Sequence, residues 1–167
     1  IAIIKTHPNM YAEELLAFNE FDGIIIEGYA LGQAPINEID GYTKEHKKIY
    51  EAIKMLSKKM PVAMASQCIY GRLQMDVYST GRDLKAAGIL GHLSDMTPET
   101  AYIKLAWLLS NCKKDEVKTL LSTLIGMGNA DELPCASFNP YICISCILFN
   151  HFIQLIFQCF PRDFRAV

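Results

Sequence analysis

Three short runs constrain this chain most: Ile1-Ala2-Ile3-Ile4, Gly23-Ile24-Ile25-Ile26 and Val62-Ala63-Met64-Ala65. Each is apolar and carries no charge, the mark of a strand buried on both faces rather than one. Between them lie segments of helical period. Ala12–Phe18 places Leu15 and Phe18 on one side and leaves Glu13 and Glu14 to water. His46–Lys59 repeats Ile49, Ile53 and Leu56 at i, i+4 and i+7, with Lys47, Glu51, Lys54 and Lys58 on the other face. Arg82–Ala87 reads as a helix closed by Gly88 at its C′ position. Thr97-Pro98-Glu99 is a helix start, with a capping hydroxyl, Pro at N1 and an acid in the first turn. A last helix begins near Asp115, carrying Val117, Leu120, Leu121 and Leu124. Buried strands alternating with amphipathic helices predict an α/β fold: a Rossmann-like three-layer domain with a short parallel sheet.

Charge excludes one class of function. Sixteen Lys and Arg against eighteen Asp and Glu give a formal net charge of -2, so no basic footprint for autonomous nucleic-acid binding is present. The charges are unevenly placed. Residues 1–125 are well mixed and hold only Cys68 and Cys112, which suits a reducing cytoplasm. From Leu133 to Pro161 there is no Asp, Glu, Lys or Arg, and Cys135, Cys143, Cys146 and Cys159 all fall there. Composition therefore places a boundary near Gly126–Gly128. It separates a domain over 1–125 from an atypical apolar, Cys-rich tail over 126–167. Cys143 and Cys146 with His151 and Cys159 do not match a common zinc spacing, so no metal is expected. Ile142–Phe160 has the length of a marginal membrane helix, but Asn150, His151, Gln154 and Gln158 interrupt it. The favoured reading is a frame-shifted or misassembled continuation, with no membrane association. No signal peptide is visible before the first strand, and the opening at Ile1 suggests a piece of something longer.

In doubly wound sheets ligands sit beyond the carboxyl ends of the strands. The loops there are Lys5–Asn9, Glu27–Pro35 and Ser66–Arg72. Ser66-Gln67-Cys68-Ile69-Tyr70-Gly71-Arg72 gathers a hydroxyl, an amide, a thiol and a guanidinium, groups suited to an amino acid or amide ligand. The competing reading has Ser66 and Gln67 satisfying backbone groups where the strand ends, with Cys68 a small buried filler. Gly28 and Gly32 do not make a dinucleotide fingerprint, and no Walker sequence exists. Cys68 has no evident activating His. Asp76, Asp83 and Asp95 read as turn or helix-start residues, and His7 and His46 as surface or cap residues. Lys44–Lys48 reads as a solvated helix start. Tyr78-Ser79-Thr80-Gly81-Arg82 reads either as an anion contact or as a helix-entry turn.

Several stretches together carry a resemblance. They are Ser66–Arg72, Val77-Tyr78-Ser79-Thr80-Gly81-Arg82-Asp83-Leu84 and Asp95-Met96-Thr97-Pro98-Glu99-Thr100-Ala101, preceded by Ile3–Pro8 and Ile26–Pro35. In order and spacing they resemble the C-terminal domain of the L-asparaginase/glutaminase family over residues 1 to about 125. Ile39-Asp40-Gly41-Tyr42-Thr43-Lys44-Glu45-His46 looks like the asparaginase-like component of archaeal glutamyl-tRNA(Gln) amidotransferases rather than a free cytoplasmic asparaginase.

The resemblance implies a glutaminase that releases ammonia for transamidation of Glu-tRNA(Gln), with glutamine or asparagine as substrate and no cofactor. It implies that the nucleophilic threonine, and the Thr-Asp and Lys that activate it, belong to an N-terminal domain, so 1–125 holds no catalytic residue and is inactive alone. The implied partners are that N-terminal domain, a homodimer mate, a second amidotransferase subunit and tRNA. Cytoplasmic relatives hold an effector asparagine at positions matching Glu27, Ser66 and Cys68, where the relatives have Arg in place of Glu27. An anion there opposes an α-carboxylate. Gln67 and Thr80 complete the candidate ligand contacts, with the Thr80–Arg82 region and the His7–Asn9 loop matching places where relatives complete a neighbour's site. The alternatives are a type I L-asparaginase C-terminal domain and a flavodoxin-like small-ligand module.

Overall fold

A computed structural model describes residues 1–125. The expectations for the tail, its cysteines and its apolar stretch lie outside the described residues. Three strands form one parallel sheet in sequence order: β1 (Ala2–Lys5), β2 (Ile24–Gly28) and β3 (Val62–Ser66). Ala2 pairs with Ile24 and Ile24 with Val62, so the three apolar runs lie side by side in one direction. Five helices accompany them: α1 (Ala12–Leu16), α2 (Lys44–Lys59), α3 (Ser79–Ala86), α4 (Pro98–Asn111) and α5 (Lys114–Ile125).

Strand alternation divides the core. Ile24, Ile26, Val62 and Met64 pack with Leu15 of α1 and Ile49, Ile53 and Leu56 of α2 in one buried cluster. Ile25, Ala63 and Ala65 are buried on the opposite face, where α4 lies against all three strands. The small side chains on β3 let α4 approach closely. Each fully buried Ile or Leu contributes about 1.5–3 kcal/mol relative to exposure. Ser57 Oγ on α2 donates to the Ala87 carbonyl just after α3, and Lys118 Nζ on α5 donates to the Ser57 carbonyl at 2.6 Å, so polar ties join three helices.

Three expectations change. β1 is not buried on both faces: Ile3 is exposed and Ile4 half-buried, because among the described residues β1 is an edge strand, paired with β2 alone. α1 ends at Leu16, two residues short of the expected Phe18, while α2 opens at Lys44, inside the stretch read as a solvated helix start. α3 begins at Ser79 instead of Arg82, so the Tyr78–Arg82 stretch is already helical from its second residue. Gly88, with φ +98°, follows α3 as expected for a C′ residue. Thr97 caps α4 by accepting from Thr100 N, with Pro98 at the first helical position.

Candidate functional site at the strand ends

The carboxyl ends of β1, β2 and β3 meet at Thr6, Glu27 and Gln67. The backbone carbonyl of Glu27 accepts three bonds, from Thr6 N at 3.0 Å, Thr6 Oγ1 at 2.8 Å and Gln67 Nε2 at 3.0 Å. The same Gln67 nitrogen reaches the Thr6 carbonyl at 2.8 Å and Thr6 Oγ1 at 3.1 Å, and Gln67 N donates to the Gly28 carbonyl at 2.9 Å. Thr6 is almost fully buried. Beside it, burial pushes the Tyr29 phenol up, against the pull of its hydrogen bond with Thr6. One amide therefore joins all three strand ends.

Ser66 works at the next position. Its Oγ donates to the Ala30 carbonyl at 2.6 Å and accepts from Cys68 N at 3.0 Å. This holds the Tyr29–Gln33 turn, where Ala30 has φ 40°, against the end of β3. Cys68 is exposed, which corrects its reading as a buried filler. The Glu27 carboxylate is mostly covered, with Lys5 Nζ 3.7 Å away as a neighbouring cation.

The structure thus gathers Glu27, Ser66, Gln67 and Cys68 around the ends of β2 and β3. Thr80 lies apart, half-buried in the first turn of α3, and no hydrogen bond joins it to the other four. In the same turn, the Arg82 guanidinium donates to the carbonyls of Asp76 and Val77, so this cation braces the chain. His7, on the β1–α1 loop, pairs with Glu14 at 2.9 Å and contacts the Pro8 carbonyl at 2.9 Å. The Pro8 carbonyl, then Glu14, raises the imidazole above its ordinary range. The Tyr11 backbone N–H, then His7, lowers Glu14.

Two groups were not legible as site elements. Thr6 stands inside the Ile3–Pro8 stretch, but its polar role depends on a residue 61 positions away. Asp76 does more than start a helix. Its carboxylate meets Lys85 at 2.9 Å and His92 Nε2 at 3.1 Å, while His92 Nδ1 accepts from Met75 N at 3.2 Å. Lys85, foremost, holds the Asp76 carboxyl below its usual range. Among the described residues, no group of three His, Cys, Asp or Glu side chains is placed to hold a metal, and no helix is long and apolar enough to cross a membrane.

Chemically, the strand ends form a braced polar shelf: fixed carbonyls, a hydroxyl, an exposed thiol and a covered carboxylate. It can hold loops in register. Among the described residues it presents no nucleophile paired with a base.

Comparison with known proteins matches this arrangement. The Glutaminase/Asparaginase C-terminal domain model matches residues 1–121. A glutamyl-tRNA(Gln) amidotransferase subunit from Methanobrevibacter smithii is 40% identical over 112 residues, taking in 65% of this chain and 23% of that protein. The corresponding protein of Pyrococcus abyssi is 38% identical over 146 residues, or 85% of this chain and 30% of its own length. Among solved structures, the thermostable L-asparaginase from Thermococcus kodakarensis superimposes with a TM-score of 0.61 at 27% identity, covering 72% of this chain and 35% of its own. L-asparaginase I from Vibrio cholerae gives 0.60 at 29% identity, over 72% and 34% respectively. The chain spans less than a third of the length of these two curated relatives.

Proposed function

Since the chain belongs to the Glutaminase/Asparaginase C-terminal domain family, we propose that it is the C-terminal part of an asparaginase-type amidohydrolase, the glutaminase subunit of a glutamyl-tRNA(Gln) amidotransferase. The observation that carries this reading is the kinship of the same residues to proteins named as subunits of that amidotransferase, at 40% and 38% identity. In the proposed reaction a threonine hydroxyl outside residues 1–125 attacks the glutamine side-chain carbonyl. Ammonia leaves, an acyl-enzyme ester forms, and water releases glutamate. The ammonia serves transamidation of Glu-tRNA(Gln) in a second subunit.

Residues 1–125 act in this proposal as the supporting domain. The Thr6–Glu27–Gln67 tie holds the strand-end loops rigid, which is what a ligand-facing rim needs. Glu27, Ser66 and Cys68 occupy the positions of the effector pocket. There Ser66 is already committed to Ala30 and Cys68, and the Glu27 carboxylate opposes an incoming carboxylate, so we assign no effector asparagine to it. Thr80 and the His7 loop are assigned to the rim facing a neighbouring active site.

The test is ammonia release from glutamine and from asparagine by the full-length protein, beside residues 1–125 alone. The expected result is turnover by the whole protein, unaffected by chelators, and none by the segment. Turnover by residues 1–125 alone would overturn the assignment of the nucleophile elsewhere.

A further inference from the structure

Met75 is buried, so its backbone N–H needs an acceptor inside the fold. That acceptor is a side chain able to change its charge: His92 Nδ1, at 3.2 Å. Met75 belongs to the connection over 73–78, which leads from the loop after β3 into α3. This connection rests on the turn after β2. Gln74 N donates to the Leu31 carbonyl at 3.0 Å, and a Cβ built on Gly32 would lie 3.0 Å from Leu73 and 3.1 Å from Met75.

The backbone on both sides of His92 is left-handed. Gly91 has φ +113° and Leu93 φ +68°. A leucine is disfavoured there by its Cβ, so the chain accepts strain beside this histidine. Two backbone bonds clamp the His92 turn onto the connection: Leu93 N donates to the Leu73 carbonyl at 3.1 Å, and Leu73 N to the Ser94 carbonyl at 2.8 Å. The second ring nitrogen, Nε2, lies 3.1 Å from Asp76 Oδ2. From α3, Lys85 meets the same carboxylate at 2.9 Å and the Arg82 guanidinium donates to the Asp76 carbonyl at 2.8 Å. The charged groups gathered at the imidazole are thus one carboxylate from the connection and two cations from α3.

The two ring contacts respond differently to a proton. Asp76, held below its ordinary range foremost by Lys85, stays ionised wherever an imidazole titrates, so it pairs with either form of the ring. The Met75 bond tolerates one form only. A doubly protonated imidazole has two donors and no acceptor, and its Nδ1–H would face the Met75 N–H.

We propose that His92 is a proton-operated latch: with Nδ1 bare it holds Met75 and the 73–78 connection against the turn after β2, and protonation releases them. Histidine is the side chain whose charge changes between about pH 5 and pH 8. The released form binds one more proton than the latched form, so acidification favours release. The Asp76 pair survives that change, so the ring stays attached while the Met75 amide comes free. This inference does not depend on the reaction proposed above.

The test is amide-resolved hydrogen exchange at Met75 in the full-length protein between about pH 8 and about pH 5.5, the window of imidazole titration. Each rate is divided by the intrinsic rate at that pH, and the nitrogen shifts of the His92 ring are recorded in parallel. Two variants separate the ring's contacts. His92→Asn puts an amide oxygen where Nδ1 stands and does not titrate. His92→Gln puts its amide at the place of Nε2, keeping a donor for Asp76 and losing the acceptor for Met75. Wild-type protection at Met75 is expected to fall about threefold to tenfold on acidification, the worth of one net hydrogen bond. His92→Asn is expected to keep its neutral-pH protection throughout, and His92→Gln to be as unprotected at neutral pH as the acidified wild type. Wild-type protection that ignores pH overturns the latch. So does His92→Asn protection that still falls, or a ring that carries its proton on Nδ1 at neutral pH. Should His92→Asn melt below wild type, the wild-type profile and the ring shifts decide the matter alone.

Discussion

Gln67 Nε2 lies 2.8 Å from the Thr6 carbonyl, although Gln67 follows β3, Thr6 follows β1, and β2 runs between them. The amide bridges the strand by also donating to the Glu27 carbonyl. Replacing Gln67 by Leu leaves the buried Thr6 carbonyl without this donor. The expected cost is about 1–3 kcal/mol, seen as a lower urea midpoint with an unchanged slope. Gln67→Glu is expected to cost more, because a carboxylate then faces carbonyl oxygens it cannot bond. A Gln67→Leu midpoint equal to wild type would show that water replaces the amide at no cost.

Ser66 and Cys68 are neighbours with opposite expectations. Ser66→Ala removes the donor to Ala30 and the acceptor for Cys68 N, for an expected loss of about 0.5–1.5 kcal/mol. Cys68→Ser keeps that backbone bond and alters only an exposed side chain, so a change within roughly 0.5 kcal/mol is expected. Thermal melts of both variants at one pH decide the matter; equal losses would contradict this division of roles.

Asp76 gives a pH signature. Its carboxyl is held below the ordinary range by Lys85, with His92 and Arg82 adding to it. A carboxylate whose folded-state pKa is depressed stabilises the fold above its unfolded pKa. That contribution is lost as pH falls through the folded value. Asp76→Asn is therefore expected to melt below wild type at neutral pH, with the two curves converging on acidification. The group is exposed, so the gap is expected to shrink in high salt. A gap that persists at low pH would place the effect in packing instead of charge.

Legibility in the sequence followed the range of the interactions. β2 and β3 were readable because their burial is written in their own residues. β1 has the same composition, but its edge position depends on which strands flank it, and no local pattern records that. The start of α3 was hidden by Gly81, whose low helix propensity suggests a turn. In the fold Gly81 is buried in the helix, where a Cβ would strike the Met75 carbonyl, so close packing overrides propensity. At the strand ends, residue types announced polar chemistry. The partners of Gln67 lie 40 and 61 positions away, and only the register of the sheet brings them together.

The face of the sheet under α4 offers a test of that packing through two residues far apart in sequence. A Cβ built on Gly23 would lie 2.9 Å from Leu105 Cδ2, and Leu105 is fully buried. Leu105→Ala opens a cavity there and is expected to cost about 2–5 kcal/mol. Gly23→Ala forces the leucine aside in a close-packed layer, for an expected loss of about 1–3 kcal/mol. In the double variant the added methyl enters the space the leucine vacated. Its loss is therefore expected to fall short of the sum of the singles by at least about 0.5 kcal/mol, the size of coupling that contacting residues show. Urea titrations of the four proteins measure it directly. Strict additivity would mean that α4 does not rest on the start of β2.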